Sequence, residues 1–266
     1  MITVAFILST RRAGSTWLNA VLGSHRKTAA LGEYFRPFEM PGHTPCRLCE
    51  ADGLEGCTKL GGIASVAPRD AFAFASDRLG KRILIDCSKQ QHWPELFFDD
   101  PEIDARFIHL VRHPCGYLES ERRRRPDESA TVIANEWVDQ NRNTELFLRH
   151  AGRPSVLASY DLLADFPELY FPQLCRFLGF EYEPAMLRYW EVEHHGLGGN
   201  GATALYLRDR KRERFVTGDD AHYADLDTKP LRADDRWKKR LDVADIALAT
   251  SSGYAKELAV RLAVTW

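Results

Sequence analysis

Two hydrophobic rhythms alternate along this chain. The run ITVAFILS at 2–9 is apolar, rich in β-branched residues and bounded by the polar Thr10, Arg11 and Arg12, which predicts a strand buried on both faces. Shorter runs predict further strands at 82–86, 106–111 and 155–160, and a brief extended piece precedes Glu33. Between them the spacing of apolar positions becomes helical. It predicts helices after Gly14, over Ala71 to Leu79, from Gly116, over Ser129 to His150 and over Glu168 to Leu178. Apolar strands separated by helices form a parallel sheet sandwiched between helical layers, so the chain reads as a single α/β domain over 1–266. Past Gly179 the rhythm loosens. HHGLGGNGAT reads as a flexible loop and WKKRLDVADIALATSSGYAKELAVRL as helical, with no internal repeat and no linker.

The first strand runs through a short turn containing Gly14 into a helix that opens on Ser15 and Thr16. Backbone N–H groups at such a turn and helix start have no intrahelical partner and favour an anion, and Arg12 adds a full countercharge. The phosphate-loop pattern G-x-x-x-x-G-K-[ST] is absent, since an Arg precedes the Gly and no Lys follows it. The fold expected is therefore P-loop-like with altered chemistry. A second strand-to-helix junction, ARFIHLVRHPCGYLESERRRR, places Arg112 at a strand end and His113-Pro114 at a helix entry. Ser120 lies two turns along that helix, on the side facing back toward Arg112, which makes a guanidinium and hydroxyl clamp for a second phosphate.

In this order the two junctions resemble the phosphosulfate and 3′-phosphate motifs of sulfotransferases that use 3′-phosphoadenosine 5′-phosphosulfate (PAPS). Arg12, Ala13, Gly14, Ser15, Thr16 and Trp17 match the first motif, and Arg112, Pro114 and Ser120 match the second. Tyr160-Asp161 and Phe177-Leu178-Gly179 are similar to a strand-end pair and a helix end of that family. The Gly-rich loop with the Trp237 segment resembles the loop that closes over the nucleotide. The resemblance lies nearer the carbohydrate, protein-tyrosine and bacterial branches than the small-phenol branch. It implies PAPS as donor, PAP as product and a small-molecule or carbohydrate hydroxyl as acceptor.

Sulfuryl transfer needs held charge and a base. Lys89, just past the strand ILID, is placed by the resemblance at the bridging oxygen of the leaving nucleotide. Glu33 is the favoured base for the acceptor hydroxyl, provided that burial against Tyr34 and Phe35 raises its pKa; His92 is the rival, and Asp86 a third candidate. Two other readings stay open. Asp86 ends a strand similar to the magnesium-binding strand of nucleotide kinases, and a P-loop core can also serve a nucleotide sensor or scaffold without catalysis.

Composition narrows this little: 44% hydrophobic residues and a net charge of -2 suit one soluble core and argue against a dedicated nucleic-acid binder. The basic runs at Arg122 to Arg125 and Arg208 to Arg214 are either solvated faces or positive potential near a nucleotide. No secretory signal or membrane span is visible, so a cytoplasmic protein is expected, with Cys87, Cys115 and Cys175 as buried free thiols. His43, Cys46, Cys49 and Cys57 share a Pro/Gly-rich stretch whose spacing can close a zinc site; the alternative is exposed thiols or a labile disulfide. Acceptor loops are expected near 34–70 and 190–230, with Tyr34, Phe35, Phe38, Trp93 and Trp137 as possible stacking surfaces and Trp137 as a core residue instead.

Overall fold

The computed structural model describes residues 1–40, 46, 57–201, 203, 207 and 234–264. Five strands, β1 (Ile2–Ser9), β2 (Thr28–Gly32), β3 (Ile83–Asp86), β4 (Ile103–Val111) and β5 (Ser155–Ser159), form one sheet in the order β2-β3-β1-β4-β5. Every strand pair is parallel, with Val4 opposite Leu84 on one side and Ala105 on the other. Parallel pairing demands a crossover between strands, and the helical segments supply it. These are α1 (Ser15–Gly23), α2 (Arg36–Glu39), α3 (Ala71–Leu79), α4 (His92–Glu95), α5 (Pro114–Arg124), α6 (Ala130–Ala151), α7 (Tyr160–Asp165) and α8 (Pro167–Leu178). A 3₁₀ segment at Pro184–Glu191 and three helices, α9 (Trp237–Arg240), α10 (Val243–Thr250) and α11 (Gly253–Leu262), follow.

The continuous apolar run of β1 is explained by the two layers it separates. Ile2, Val4, Phe6 and Leu8 enter a core with Phe72 of α3, Phe97 and Phe147 of α6, whereas Ala5 and Ile7 enter another with Leu18 of α1 and Phe171 of α8. Successive side chains point to opposite faces, so both parities must be apolar. A third cluster joins Tyr117 of α5 and Trp137 of α6 to Tyr254 and Leu258 of α11. Boundaries follow local chemistry: Ser129 caps α6 by accepting from the Val132 N–H, and Gly152 ends it in the left-handed conformation.

The loop expected over 194–203 from its glycines is anchored at Leu197. Leu197 is fully buried and bridges Gly32 in parallel beyond the end of β2, with its N–H donating to Leu31 O and its carbonyl accepting from Glu33 N. A Cβ on Gly32 would fall 2.2 Å from the Leu197 carbonyl oxygen, so the glycine makes room for a strand-like strap. The rest of the expected 190–230 acceptor loop, and the basic run at 208–214, fall largely or wholly outside the described residues.

Candidate functional site

Each of the five strands delivers a polar residue at its carboxyl end: Arg12 after β1, Glu33 after β2, Lys89 after β3, Arg112 after β4 and Tyr160-Asp161 after β5. The sheet order reverses about β1, and ligands of open parallel sheets sit at such a crevice. Gly14 shapes its floor. It precedes α1 with φ 90°, and a Cβ there would lie 2.4 Å from the Tyr160 ring. The N-terminus of α1 carries no side-chain cap and no acidic residue in its first turn, which leaves its positive end suited to an anion. Thr16 accepts from the Asn200 N–H at 3.0 Å, which fastens the strap to this helix start. Trp17 packs edge-on against Tyr160 and Phe171.

Lys89 joins this cradle to Glu33. Its Nζ donates to Glu33 Oε1 and Cys87 O, each at 2.8 Å, and lies 3.5 Å from Ser15 Oγ. Arg36, one helical turn beyond Glu33, holds Oε2 at 2.5 Å. Burial would raise the Glu33 carboxyl, but the two cations and their hydrogen bonds outweigh it and hold the group below its ordinary value. The expected upward shift is thus corrected. The carboxylate is buried, but it is also doubly ion-paired.

Arg112 is the second node. Its Nη1 donates to the Arg12 carbonyl at 2.8 Å, its Nη2 meets Asp234 Oδ2 at 3.0 Å, and its guanidinium lies 5.4 Å from the Tyr160 ring centre. Arg112 Nε is buried without a hydrogen-bond partner. Asp234, also held by Arg236, is pulled well below the usual carboxylate range against its burial. A carboxylate thus lies where a phosphate is expected. The Ser120 hydroxyl accepts from Arg12 Nε at 3.1 Å, and Arg112 holds the Arg12 carbonyl, so the expected clamp draws in both arginines. Gly116 permits the close packing, since a Cβ there would stand 2.8 Å from Arg112 Nε. Asp161 fixes the junction by accepting from the His113 N–H at 2.8 Å, and Trp237 stacks on His113.

Other candidates lie apart from these nodes. His92 is more than half exposed and contacts Glu39, not the Lys89–Glu33 pair. Asp86 is sealed inside, with Oδ1 accepting from Ser88 N and Oδ2 from Trp93 Nε1; burial raises it to about 6 despite those bonds. Tyr34, Phe35 and Trp93 are buried in the core around Phe72 and offer no stacking surface, whereas the partly buried Phe38 packs against that core and stacks on Trp93; Trp137 is core as well and donates to Arg112 O. Arg122, Arg123 and Arg125 pair with Asp245, Glu119 and Glu136 respectively, which makes that run mostly a paired surface. Cys87, Cys115 and Cys175 are buried free thiols. His43 and Cys49 lie outside the described residues, whereas Cys46 and Cys57 converge with His195, a partner the spacing had not indicated. A cleft of about 530 Å³ reaches Lys89 from the α6 side and is lined also by Gln91, Gln140, Asn143 and Thr144.

Sequence missed the contributions of Arg36, Asp234 and His195. Only Arg36 left a signal, its spacing of three from Glu33.

No protein-family model matches this chain, and no curated protein matches it by sequence. Solved structures do. The sulfotransferase domain from the Synechococcus PCC 7002 olefin synthase is 22% identical, with a TM-score of 0.61 over 99% of this chain and 95% of that one. The sulfotransferase domain from the curacin biosynthetic pathway is 21% identical, with a TM-score of 0.54 over 100% of this chain and 99% of that one. The chain shares the fold of these domains.

Proposed function

We propose that this protein transfers a sulfuryl group from PAPS to a hydroxyl acceptor. The observation that carries the reading is Lys89, one cation placed between the anion cradle at Ser15 and the carboxylate of Glu33. Donor charge and acceptor proton can then be handled on either side of one ammonium group. The fold shared with two sulfotransferase domains supports the same reading.

The residues present fit such a donor. Gly14 leaves a cradle that a Cβ would fill, and the orphaned Arg112 Nε and the Asp234 carboxylate on the same guanidinium mark an anion position. The amides at the start of α1, with Arg12 and Ser15, would hold the phosphosulfate; Arg112, with Ser120 through Arg12, would hold the 3′-phosphate in place of Asp234. PAPS supplies an activated sulfuryl group whose sulfur–oxygen bond to phosphate breaks as the acceptor oxygen bonds to sulfur. Lys89 would leave Glu33 to neutralise the departing oxygen, and Glu33, relieved of that charge, would take the acceptor proton. The cleft beside Lys89, with Gln140, Asn143 and Phe147 on its wall, would be a place for the body of the acceptor, whose hydroxyl would have to reach past Lys89 to Glu33. A magnesium-dependent kinase is disfavoured by Asp86, whose oxygens both accept internal hydrogen bonds beneath the surface.

The test is incubation of the protein with labelled PAPS and a panel of acceptor alcohols, with and without magnesium. Label is expected to reach an acceptor without added metal. PAP at 100 times its Kd is expected to stabilise the fold by about 2.7 kcal/mol. PAP binding without transfer to any acceptor would instead favour a nucleotide sensor, and strict dependence on magnesium and ATP a phosphotransferase.

A further inference from the structure

The third convergence in the molecule lies behind the strap, away from the two anion nodes. The side-chain donor atoms of Cys46, Cys57 and His195 all lie within 4.8 Å of one another, and the three residues are 1%, 2% and 7% exposed. They come from distant parts of the chain. Backbone pairing brings them together, because Leu197 bridges Gly32 on one side and Cys46 on the other, two residues from His195.

From this we infer that the protein holds a structural zinc ion between Cys46, Cys57 and His195. The chemistry of the set favours it: two thiolates balance the charge of a divalent ion, and a neutral imidazole adds a third donor of the kind zinc takes, with the fourth tetrahedral position left to a further ligand such as water. The geometry agrees. Cys57 Sγ lies 3.4 Å from His195 Nδ1. Bonds of about 2.3 Å to sulfur and about 2.0 Å to nitrogen at a tetrahedral angle give an edge of about 3.5 Å. The other imidazole nitrogen, Nε2, lies 3.2 Å from Glu193 Oε1, so a carboxylate fixes the ring with Nδ1 aimed at the cluster. The Leu60 N–H also donates to Cys57 Sγ at 3.3 Å, a bond that strengthens as the sulfur becomes a thiolate.

The ion sets the position of the strap. Beyond His195, Leu197 O accepts from the Glu33 N–H, a Cβ on Gly198 would lie 3.2 Å from Glu33 Oε2, and Asn200 N donates to Thr16. Zinc behind the strap therefore secures the backbone that lies over both Glu33 and the start of α1. This inference concerns metal content and stands whether or not the sulfuryl-transfer reading holds.

The test begins with the full chain, expressed with ample zinc and dialysed against metal-free buffer. Elemental analysis is expected to give about one zinc per chain, falling severalfold in both His195→Ala and Cys57→Ser. Because loss of a ligand also weakens the fold around it, the wild type provides an independent reading. Cobalt exchange is expected to yield thiolate-to-metal charge-transfer and tetrahedral ligand-field bands, and a mercurial to release the zinc as thiols are titrated. Less than about a tenth of an equivalent in the wild type, with Cys46 and Cys57 titrating freely in the native state, would overturn the inference. A Cys46–Cys57 disulfide found by mass spectrometry would overturn it too.

Discussion

Glu33→Gln separates proton transfer from everything else the site does. The substitution keeps size and one acceptor oxygen but removes the charge that Lys89 and Arg36 share, both contacts lying within 2.8 Å. Those cations are 18% and 30% exposed, so each keeps some water and the cost falls at the low end of that for breaking a buried pair, about 3 kcal/mol. For a chain of this length that lowers Tm by about 6–12 °C, which leaves the variant folded at assay temperature. Loss of the base is expected to reduce transfer by about 10²- to 10⁴-fold, or about 2.7–5.5 kcal/mol of barrier. PAP affinity should hold or rise, because Lys89 no longer spends its charge on a carboxylate. The assay is single-turnover transfer at saturating PAPS, with PAP binding measured calorimetrically on the same preparation. His92→Asn, which alters an exposed pair with Glu39, should change the rate by less than about twofold. Retained transfer in Glu33→Gln with its loss in His92→Asn would refute the assignment of the base.

Arg112→Ala is expected to weaken PAP by about 10- to 100-fold, the worth of charge-assisted hydrogen bonds, while adenosine 5′-phosphosulfate, which lacks the 3′-phosphate, loses little; equal losses for both would remove Arg112 from the 3′-phosphate role. Gly14→Ala should destabilise the protein and abolish PAP binding through two separable effects, left-handed φ strain of about 1–3 kcal/mol and collision with Tyr160. Adding Tyr160→Ala should relieve the collision alone, so melting curves that show simple additivity would contradict the packing described. The pH dependence follows from the sign of the Glu33 shift: a depressed carboxyl stays ionised through neutrality, so transfer should be flat from pH about 6 to 8 and fall only in the acid range. The same ionisation stabilises the fold above the unfolded pKa, and that stability is lost as pH falls through the folded value. Lys89→Met leaves burial with less opposition and should move the acid limb of residual transfer upward; a limb unmoved would show that Lys89 does not set the Glu33 charge.

The fold was legible because buried parallel strands carry their own signature. β1 was expected over 2–9 and α3 over Ala71 to Leu79, as found, since apolar runs on both parities and a helical stripe depend on local sequence. β4 begins at Ile103, three residues before the expected start, because Asp104 and Arg106 hide the strand; two positions apart on one face, they pair with each other at 2.8 Å. Tyr160–Asp165 was missed as a helix since its Ser159 cap is also the last strand residue, leaving no turn between elements. In the site, Arg12 and Lys89 announced themselves by lying just past strands. The Arg112–Asp234 and His195–Cys57 contacts span 122 and 138 residues of sequence, and nothing local records them.

Backbone strain gathers beside the proposed site. Among the described residues, three that are not glycine have positive φ: Arg12 at 61°, Lys89 at 64° and Ala263 at 54°. Ala263 ends a helix, where that conformation is ordinary. Arg12 and Lys89 end no helix; each follows a strand by three residues and carries a site cation. The left-handed region costs an L-residue about 1–2 kcal/mol, so a glycine at either position would favour stability. What holds each strained residue is the site itself. The Arg12 carbonyl is gripped by Arg112, and Lys89 folds back onto Cys87 O while reaching Glu33. The turn that strains the backbone is the turn that aims the cation, because a chain leaving a strand must bend sharply to return a side chain over that strand's end. Strain retained at two cations, after two different strands of one crevice, is consistent with the proposed role of Arg12 and Lys89, because stability alone would favour glycine at both places.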